Sequence, residues 1–585
     1  MPDRTLKIGG MTCPGCARHV TEALEALPGV ASADVPGWQS GRAHVTLADD
    51  APASTADLVG AVEAAGYRAD ADLYGPPASG PTADYGTQPQ SLAGPSGDGA
   101  ASAAEPAAPE PLPEGAYDLV VIGGGSAAFA AALKTSELGG RTAVVNDGLP
   151  IGGTCVNVGC VPSKATIRAA EAVHRAKRTA FDGVETTGRV ADFGAVLAQV
   201  RALVADLRQA KYVDVVAGDE AIDVVAGRAR LAGRDGGLHT VEVIGGRVLR
   251  ARSVLLATGA RPFVPDIPGL AGAGFLTNDA VWDLEAAPDH LVVLGGGYVA
   301  VEAAQAFARL GVPVTLLQRS ARVLPREDAA LTGALEGFLR ADGVAVRTSV
   351  TTRAVRREGA ETVVEIGVDG RAETVRGSHL LLATGRRGNT DGLGLEALGI
   401  GTDERGFVPV DGALRTAAAG VFAAGDVLGD QMFVYTAAYE GSLAARNAHE
   451  GLSAEADYTA LPWVVFTDPQ LAGVGLDLVQ AQAAGFDAEA ATLAMEHVPR
   501  ALAARDTRGS ITLVRDRETD RLLGARVLAP EGAELLMEVA LAIRHGITAE
   551  QLAGAFHPYL TLSEAVKLAA ITFRRDVGKL SCCAG

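Results

Sequence analysis

Cysteine is scarce: the chain holds six in 585 residues. A secreted disulfide framework would scatter them through a small fold, and nothing of that kind is present. Positive charge is short as well, with 51 Lys and Arg against 70 Asp and Glu and a formal net charge of −19. That balance argues against nucleic acid, whose phosphates need a basic surface, and against an anionic membrane face. No run of about 18 apolar residues occurs, so no segment reads as a membrane span. The start, "MPDRTLKIGG", lacks the apolar core of a signal peptide. The expectation is a cytoplasmic protein with no nucleic-acid or membrane partner.

The few cysteines are patterned. They fall into three close pairs, Cys13/Cys16, Cys155/Cys160 and Cys582/Cys583, an arrangement that reads as metal-binding or redox chemistry in a large chain. The length calls for several domains. Residues 1–70 carry two amphipathic helical patterns between short alternating strands, with Ser54 or Thr55 as a cap for the second helix. The order βαββαβ predicts a ferredoxin-like unit. Residues 71–115 are mostly Ala, Pro, Gly and Ser, a composition that cannot bury enough surface to offset ordering entropy and reads as a flexible tether. From 116 onward apolar strands alternate with amphipathic helices, the pattern of α/β domains.

Two glycine-rich strand–turn–helix units recur in that body. The first, "YDLVVIGGGSAAFAAALKTSELGGRTAVVND", presents Gly123-x-Gly125-x-x-Ala128. Glycines there let the backbone approach a pyrophosphate at a helix N-terminus. Where an acidic residue usually holds the adenosine ribose, Asn146 stands, able to hydrogen-bond without charge. The second unit has Gly295-x-Gly297-x-x-Ala300, and its next strand ends in Gln318 and Arg319 with no carboxylate. An arginine there suits the 2′-phosphate of NADP and a carboxylate the 2′-hydroxyl of NAD, so NADPH is expected; a solvated surface charge is the plain reading of Arg319. Two dinucleotide folds in one chain imply a flavin and a nicotinamide passing a hydride. "GVFAAGDVLGD" sets Asp426 after an apolar strand, a carboxylate for a ribityl chain or a turn residue. "IGGTCVNVGCVPSK" follows the first unit, and Cys155 and Cys160 at the start of one helix read as a redox-active dithiol, with a thiolate favoured by the helix N-terminus.

These motifs resemble the pyridine nucleotide-disulfide oxidoreductases over roughly residues 116–585. The resemblance implies an FAD-binding domain at 116–265 and 389–460, an NADPH-binding domain at 266–388, and an α+β dimerisation domain at 461–585. The fold class is then α/β, with two Rossmann-like domains behind the ferredoxin-like metal-binding domain. It also implies that Cys160 lies against the flavin, that Cys155 is the exchanging thiol, and that Lys164 pairs with Glu302 beside the flavin. Matching positions put Ala128, Gly148, Gly153, Thr154, Ala229, Thr258, Gly259, Asp426 and Val434 around FAD.

One departure singles out a branch. The family's C-terminal segment carries a catalytic histidine, and in "FHPYLTLSEA", aligned through Glu564, that position is Tyr559, with His557 two residues earlier. A phenol with pKa about 10 is a poor base at neutral pH. Together with "FTDPQ", "VPRALA" and the terminal "KLSCCAG", this resembles the members that reduce mercuric ion, Hg(II), to Hg(0) with NADPH through FAD. The resemblance implies a homodimer in which Cys582 and Cys583 collect Hg(II) and pass it to the partner subunit's dithiol, with Tyr212 and Tyr559 flanking the ion. "GMTCPGC" likewise resembles heavy-metal-associated domains; Cys13 and Cys16 suit a soft two-coordinate ion, Hg(II) or Cu(I), better than zinc, which prefers four ligands. The rival readings are a disulfide reductase of the same fold and a soft-metal trafficking protein with an idle core.

Overall fold

The computed structural model describes residues 3–9, 14–35, 42–48, 53–65, 67–71 and 112–576. Cys13, Cys582, Cys583 and nearly all of the tether lie outside them. The chain divides into two compact units, Met1–Ala108 and Pro109–Gly585.

In the first unit the order is β1 (Asp3–Gly9), α1 (Pro14–Glu25), β2 (Val30–Asp34), β3 (Arg42–Leu47), α2 (Thr55–Ala64) and β4 (Arg68–Ala71). The antiparallel sheet runs β2-β3-β1-β4, which is the ferredoxin-like topology expected. Val20 and Leu24 of α1 and Leu58 and Val62 of α2 bury against Leu6, Val45 and Leu47 of the sheet. Ser54 caps α2 reciprocally: its hydroxyl accepts the Asp57 N–H, and the Asp57 carboxylate accepts the Ser54 N–H. Cys16 stands in the first turn of α1.

The second unit begins with β5 (Tyr117–Ile122), α3 (Ser126–Glu137), β6 (Thr142–Asn146), α4 (Gly153–Asn157), α5 (Cys160–Lys177) and α6 (Phe193–Arg208), followed by β7 (Ile222–Ala226), β8 (Ala229–Asp235), β9 (Leu238–Val243) and β10 (Val248–Leu256). The sheet order is β7-β6-β5-β10-β9-β8, and the strand Val421–Ala423 adds in parallel to β10. β5 and β6 are buried on both faces, which explains their nearly unbroken apolar sequences. The chain therefore leaves this sheet at Leu256 and returns to it at Val421. The helix Val434–Glu450 then packs on α3 so closely that a Cβ on Gly441 would sit 2.1 Å from the Ala127 carbonyl oxygen.

Between these segments lies a second parallel sheet of four strands, Leu291–Leu294, Val314–Leu317, Val344–Arg347 and His379–Leu382. An antiparallel three-stranded sheet spans 351–377. The last domain is a five-stranded antiparallel sheet covered by helices that include Leu536–Arg544 and Glu564–Ile571. None of the described helices is long and apolar enough to cross a membrane.

Candidate active site

The carboxyl ends of β5, β6 and β10 open on a cleft of about 450 Å³. At its head Gly123 has φ +127°, and a Cβ there would lie 2.1 Å from the Ala257 carbonyl oxygen. Gly125 is the N-cap of α3 with no side chain capping the helix. That leaves the first amide groups of α3 free for an anion, which is what a pyrophosphate needs. The loop carrying the dithiol docks directly on this turn. The Gly152 N–H donates to the Gly124 carbonyl at 2.7 Å, and a Cβ on Gly153 would be 2.6 Å from the Gly125 Cα. Both glycines of "IGGTC" are thus required by close approach. Gly123→Ala is expected to give protein purified without bound FAD, read from the absence of flavin absorbance.

Gly123, Gly125, Asn146, Gly148, Gly153 and Thr154 all line this cleft, as do Cys155, Cys160, Ala229, Thr258, Gly259, Asp426 and Val434. Ala128 does not; it is fully buried, where α3 packs against the helix Val434–Glu450. The cleft fits FAD by its chemistry. The Thr258 hydroxyl is buried with no hydrogen-bond partner among the described residues, and the helix at Val434 begins without a side-chain cap. Burial pushes the Asp426 carboxyl up, opposed by Arg386, whose Nε lies 3.5 Å from it. Asn146 spends its amide N–H on the Leu149 carbonyl at 3.0 Å, which leaves its oxygen as an acceptor. The sequence reading missed Arg386, beside Asp426, and Asp279, an exposed carboxyl lining the cleft. Arg386 opens the short strand Arg386–Gly388 and Asp279 stands in a turn; both are remote in the chain and carry no local motif.

The two cysteines do not share one helix. Cys155 belongs to the short helix α4, and Cys160 is the first residue of α5. Gly159 divides them, because a Cβ there would crowd the Thr154 carbonyl oxygen at 3.0 Å. Both are free thiols. The Cys155 thiol hydrogen-bonds to Cys160, which lowers Cys160 below the ordinary thiol range, with the Lys164 charge adding to the effect. The same hydrogen bond and burial push Cys155 up. Cys160 is therefore the more acidic of the two thiols and Cys155 the less acidic, with the helix N-terminus reinforcing the order.

Lys164, one turn along α5, pairs with Glu302 at 2.8 Å and lies over the Phe466 ring at 4.6 Å. Glu302 is buried, and its other oxygen accepts the Phe466 N–H at 2.8 Å. Tyr212 sits on a π-helical turn, Gln209–Val213, that continues α6. Its ring meets Phe129 edge-on at 4.9 Å, its hydroxyl lies 3.4 Å from Ser126 Oγ, and a Cβ on Gly152 would touch its ring. Burial raises its phenol, and the charge at the two cysteines adds to the shift. The π turn is a single-turn interruption of a kind that often marks functional sites.

In the second glycine unit a Cβ on Gly295 would lie 2.2 Å from the Ala383 carbonyl oxygen. Gly297 caps the helix Tyr298–Arg309 without a side chain, and Ala300 is fully buried in it. Gln318 is buried and uses both ends of its amide locally, on the Arg322 carbonyl and the Arg319 N–H. Arg319 is exposed and makes no ion pair among the described residues.

At the other end of the chain Tyr559 is 53% exposed. His557 is turned inward, its side chain 6% exposed and its Nε2 2.6 Å from Glu538. Glu564 accepts the Leu560 N–H and so closes the turn that presents Tyr559.

Residues 117–441 match the pyridine nucleotide-disulphide oxidoreductase model. The chain belongs to that family. Residues 461–570 match the family's dimerisation domain, and the protein is a homodimer. Residues 5–68 match the heavy-metal-associated domain. The chain is similar to the mercuric reductase of Shigella flexneri, with 42% identity over 582 residues, 99% of this chain and 100% of that one. It is 46% identical to the mercuric reductase of Streptomyces lividans over 479 residues, 80% of this chain and 98% of that one. Among solved structures it is similar to the HOCl-induced flavoprotein disulfide reductase RclA from Escherichia coli, at 29% identity and a TM-score of 0.69, covering 78% of this chain and 99% of that one. LpdA from Mycobacterium tuberculosis matches at 32% identity with a TM-score of 0.69, covering 78% of this chain and 100% of that one. The cofactors of this oxidoreductase are FAD and NADPH.

Proposed function

We propose that the chain is a mercuric reductase catalysing NADPH + Hg(II) → NADP⁺ + H⁺ + Hg(0). The observation that carries this reading over a disulfide reductase lies in the C-terminal segment. It offers Tyr559 to its surroundings and holds His557 against Glu538, so the base that disulfide exchange needs is withheld.

The chain's own residues account for the metal chemistry. Cys160 is the more acidic thiol, so it binds a soft ion first, giving up its proton more readily. Cys155 follows and loses its proton to solvent, as thiol ligation of a metal requires. Two sulfurs then complete the linear coordination that mercuric ion prefers. Tyr212 walls one side of the site, and Tyr559 of the opposite protomer is assigned to the other. FAD, held by the free amides of α3, Thr258 and Asp426, supplies when bound the two-electron path from nicotinamide to metal. The Lys164–Glu302 pair keeps a positive charge beside the dithiol and ties α5 to the nicotinamide domain.

Delivery is assigned to the remaining cysteines. Cys582 and Cys583 grip one ion and pass it to the dithiol of the partner subunit by ligand exchange. Cys13 and Cys16 collect ions at the far end of the tether and raise the local concentration. The protein works in the cytoplasm. With Hg(II) supplied in excess small thiol, Cys582→Ala/Cys583→Ala is expected to lower kcat/KM for Hg(II) on the order of 10²-fold, the loss of an effective concentration, while NADPH still reduces the bound FAD at the native rate. An unchanged kcat/KM contradicts the carrier role. Turnover of oxidised glutathione or lipoamide without any Hg(II)-dependent oxidation contradicts the reaction itself.

For the nicotinamide site, Arg319→Glu is expected to lower kcat/KM for NADPH relative to NADH by roughly 10- to 100-fold. It replaces a charge-assisted phosphate contact by repulsion. Steady-state rates with the two cofactors check this, and an unchanged ratio returns Arg319 to the surface.

A further inference from the structure

A carboxyl group that this chemistry does not use lies directly behind the flavin cleft. Glu440, on the helix Val434–Glu450, is 3% exposed. One of its oxygens accepts the Gly425 N–H at 2.6 Å, and the other accepts the Tyr458 hydroxyl at 2.7 Å. Burial pushes its carboxyl up, the charges of Asp426 and Asp430 add to that, and its two hydrogen bonds oppose it. Burying an acid is costly, so those two hydrogen bonds are its compensation.

What it holds is a turn with little freedom of its own. Gly425 has φ +80°, and a Cβ there would lie 3.2 Å from the Ala127 Cβ and 3.3 Å from the Ala437 Cβ. The turn is therefore threaded between α3 and the helix Val434–Glu450 at a place only glycine fits. Its amide N–H points away from the cleft to Glu440, and the next residue, Asp426, stands in the cleft. Fixing that amide fixes the Ala424–Gly425 peptide plane, one residue ahead of the Asp426 Cα, and the packing that holds Gly425 at φ +80° carries that constraint on to Asp426. Arg386 is the cation beside Asp426, its Nε 3.5 Å from the carboxylate.

We propose that Glu440 is a positioning residue for FAD: by holding the Gly425 amide it sets the direction in which the Asp426 carboxylate enters the cleft, and through Asp426 the affinity for the cofactor. Tyr458, from the segment that leads into the dimerisation domain, orients the Glu440 carboxylate in turn. The inference rests on the reading that the cleft holds FAD through Asp426.

A double-mutant cycle on the holoprotein tests it, with FAD release on serial dilution read as recovered flavin fluorescence. Asp426→Asn and Glu440→Ala are each expected to weaken FAD retention on the order of 10-fold, and the double variant no more than about 2-fold beyond Asp426→Asn alone, because residues acting through one another are not additive. Glu440→Gln, which still accepts the Gly425 N–H, is expected to stay within about 3-fold of the native protein. Losses that multiply in the double variant, or native retention in Glu440→Ala, overturn the proposal. Should Glu440→Ala not fold, Tyr458→Phe takes its place in the same cycle, and multiplicative losses there overturn it equally. Native retention in Asp426→Asn instead overturns the assignment of Asp426 to FAD, whatever Glu440 does.

Discussion

Replacing Cys160 by serine is expected to lower Hg(II)-dependent NADPH oxidation by at least about 10³-fold, the scale on which removal of a group essential to the site acts. A hydroxyl is a hard donor with no anionic form near neutral pH, so the variant loses both the charge and the softness that a mercuric ion selects. Its partner changes as well. In the native protein the Cys155 thiol donates its hydrogen bond to the Cys160 thiolate; beside a neutral serine it has no anion to stabilise. Cys155→Ala should be similarly inactive by a different route. It removes the second ligand and the hydrogen bond that holds Cys160 down, so its remaining thiol should titrate at higher pH than native Cys160. Alkylation rate against pH separates the two cases. Native-like turnover in Cys160→Ser would mean that the ion is reduced elsewhere.

Arg309→Met is expected to be the most damaging substitution remote from the cleft. The Arg309 side chain is 2% exposed and lies between two buried carboxylates, Asp342 at 2.8 Å and Asp468 at 2.8 Å. Its guanidinium also donates to the Asp468 carbonyl at 2.9 Å. Removing it takes a cation from both acids in a low-dielectric interior, which costs about 3–5 kcal/mol when one member of a buried ion set is lost. Asp468 retains Arg508 at 2.9 Å, so Asp342 bears most of the loss. The midpoint of denaturant unfolding of the FAD-loaded protein reads the effect. A variant as stable as the native protein would show that the cluster contributes nothing net. The consequence reaches the active site because Glu302, Gln305 and Arg309 share one face of the helix Tyr298–Arg309. All three bind the segment Phe466–Asp468, and loosening one end of that clamp frees the acid that holds Lys164.

The parts of the site legible from the sequence are those whose chemistry is local. The two glycine turns, the Cys-x₄-Cys loop and the βαββαβ order of the first unit each occupy a short stretch with a fixed spacing. Backbone demands set that spacing: Gly123 and Gly295 each face a carbonyl oxygen within about 2 Å of where a Cβ would be. Features made by distant segments were not legible. Arg386 meets Asp426 across 40 residues of chain, and Arg309 meets Asp468 across 159. No periodicity encodes either pairing. Local signals also misled where two conformations compete. Nothing in "RQAKYVDVV" announces the π turn, on which Tyr212 packs against Phe129 and Gly152. Cys155 and Cys160 read as one helix start because the sequence does not announce that Gly159 ends the first helix. Gln318 read as a cofactor contact beside Arg319, yet its amide is consumed by its own loop.

The most direct test of the central claim is stoichiometric. Purified, FAD-loaded protein is given NADPH, Hg(II) and excess small thiol in a sealed cell. NADPH loss is followed at its absorbance band while mercury vapour is swept into a trap and weighed against it. One Hg(0) released for each NADPH oxidised, with neither process in the absence of the other reactant, is the predicted result. NADPH oxidation without mercury release, or no Hg(II)-dependent oxidation at all, would contradict the account.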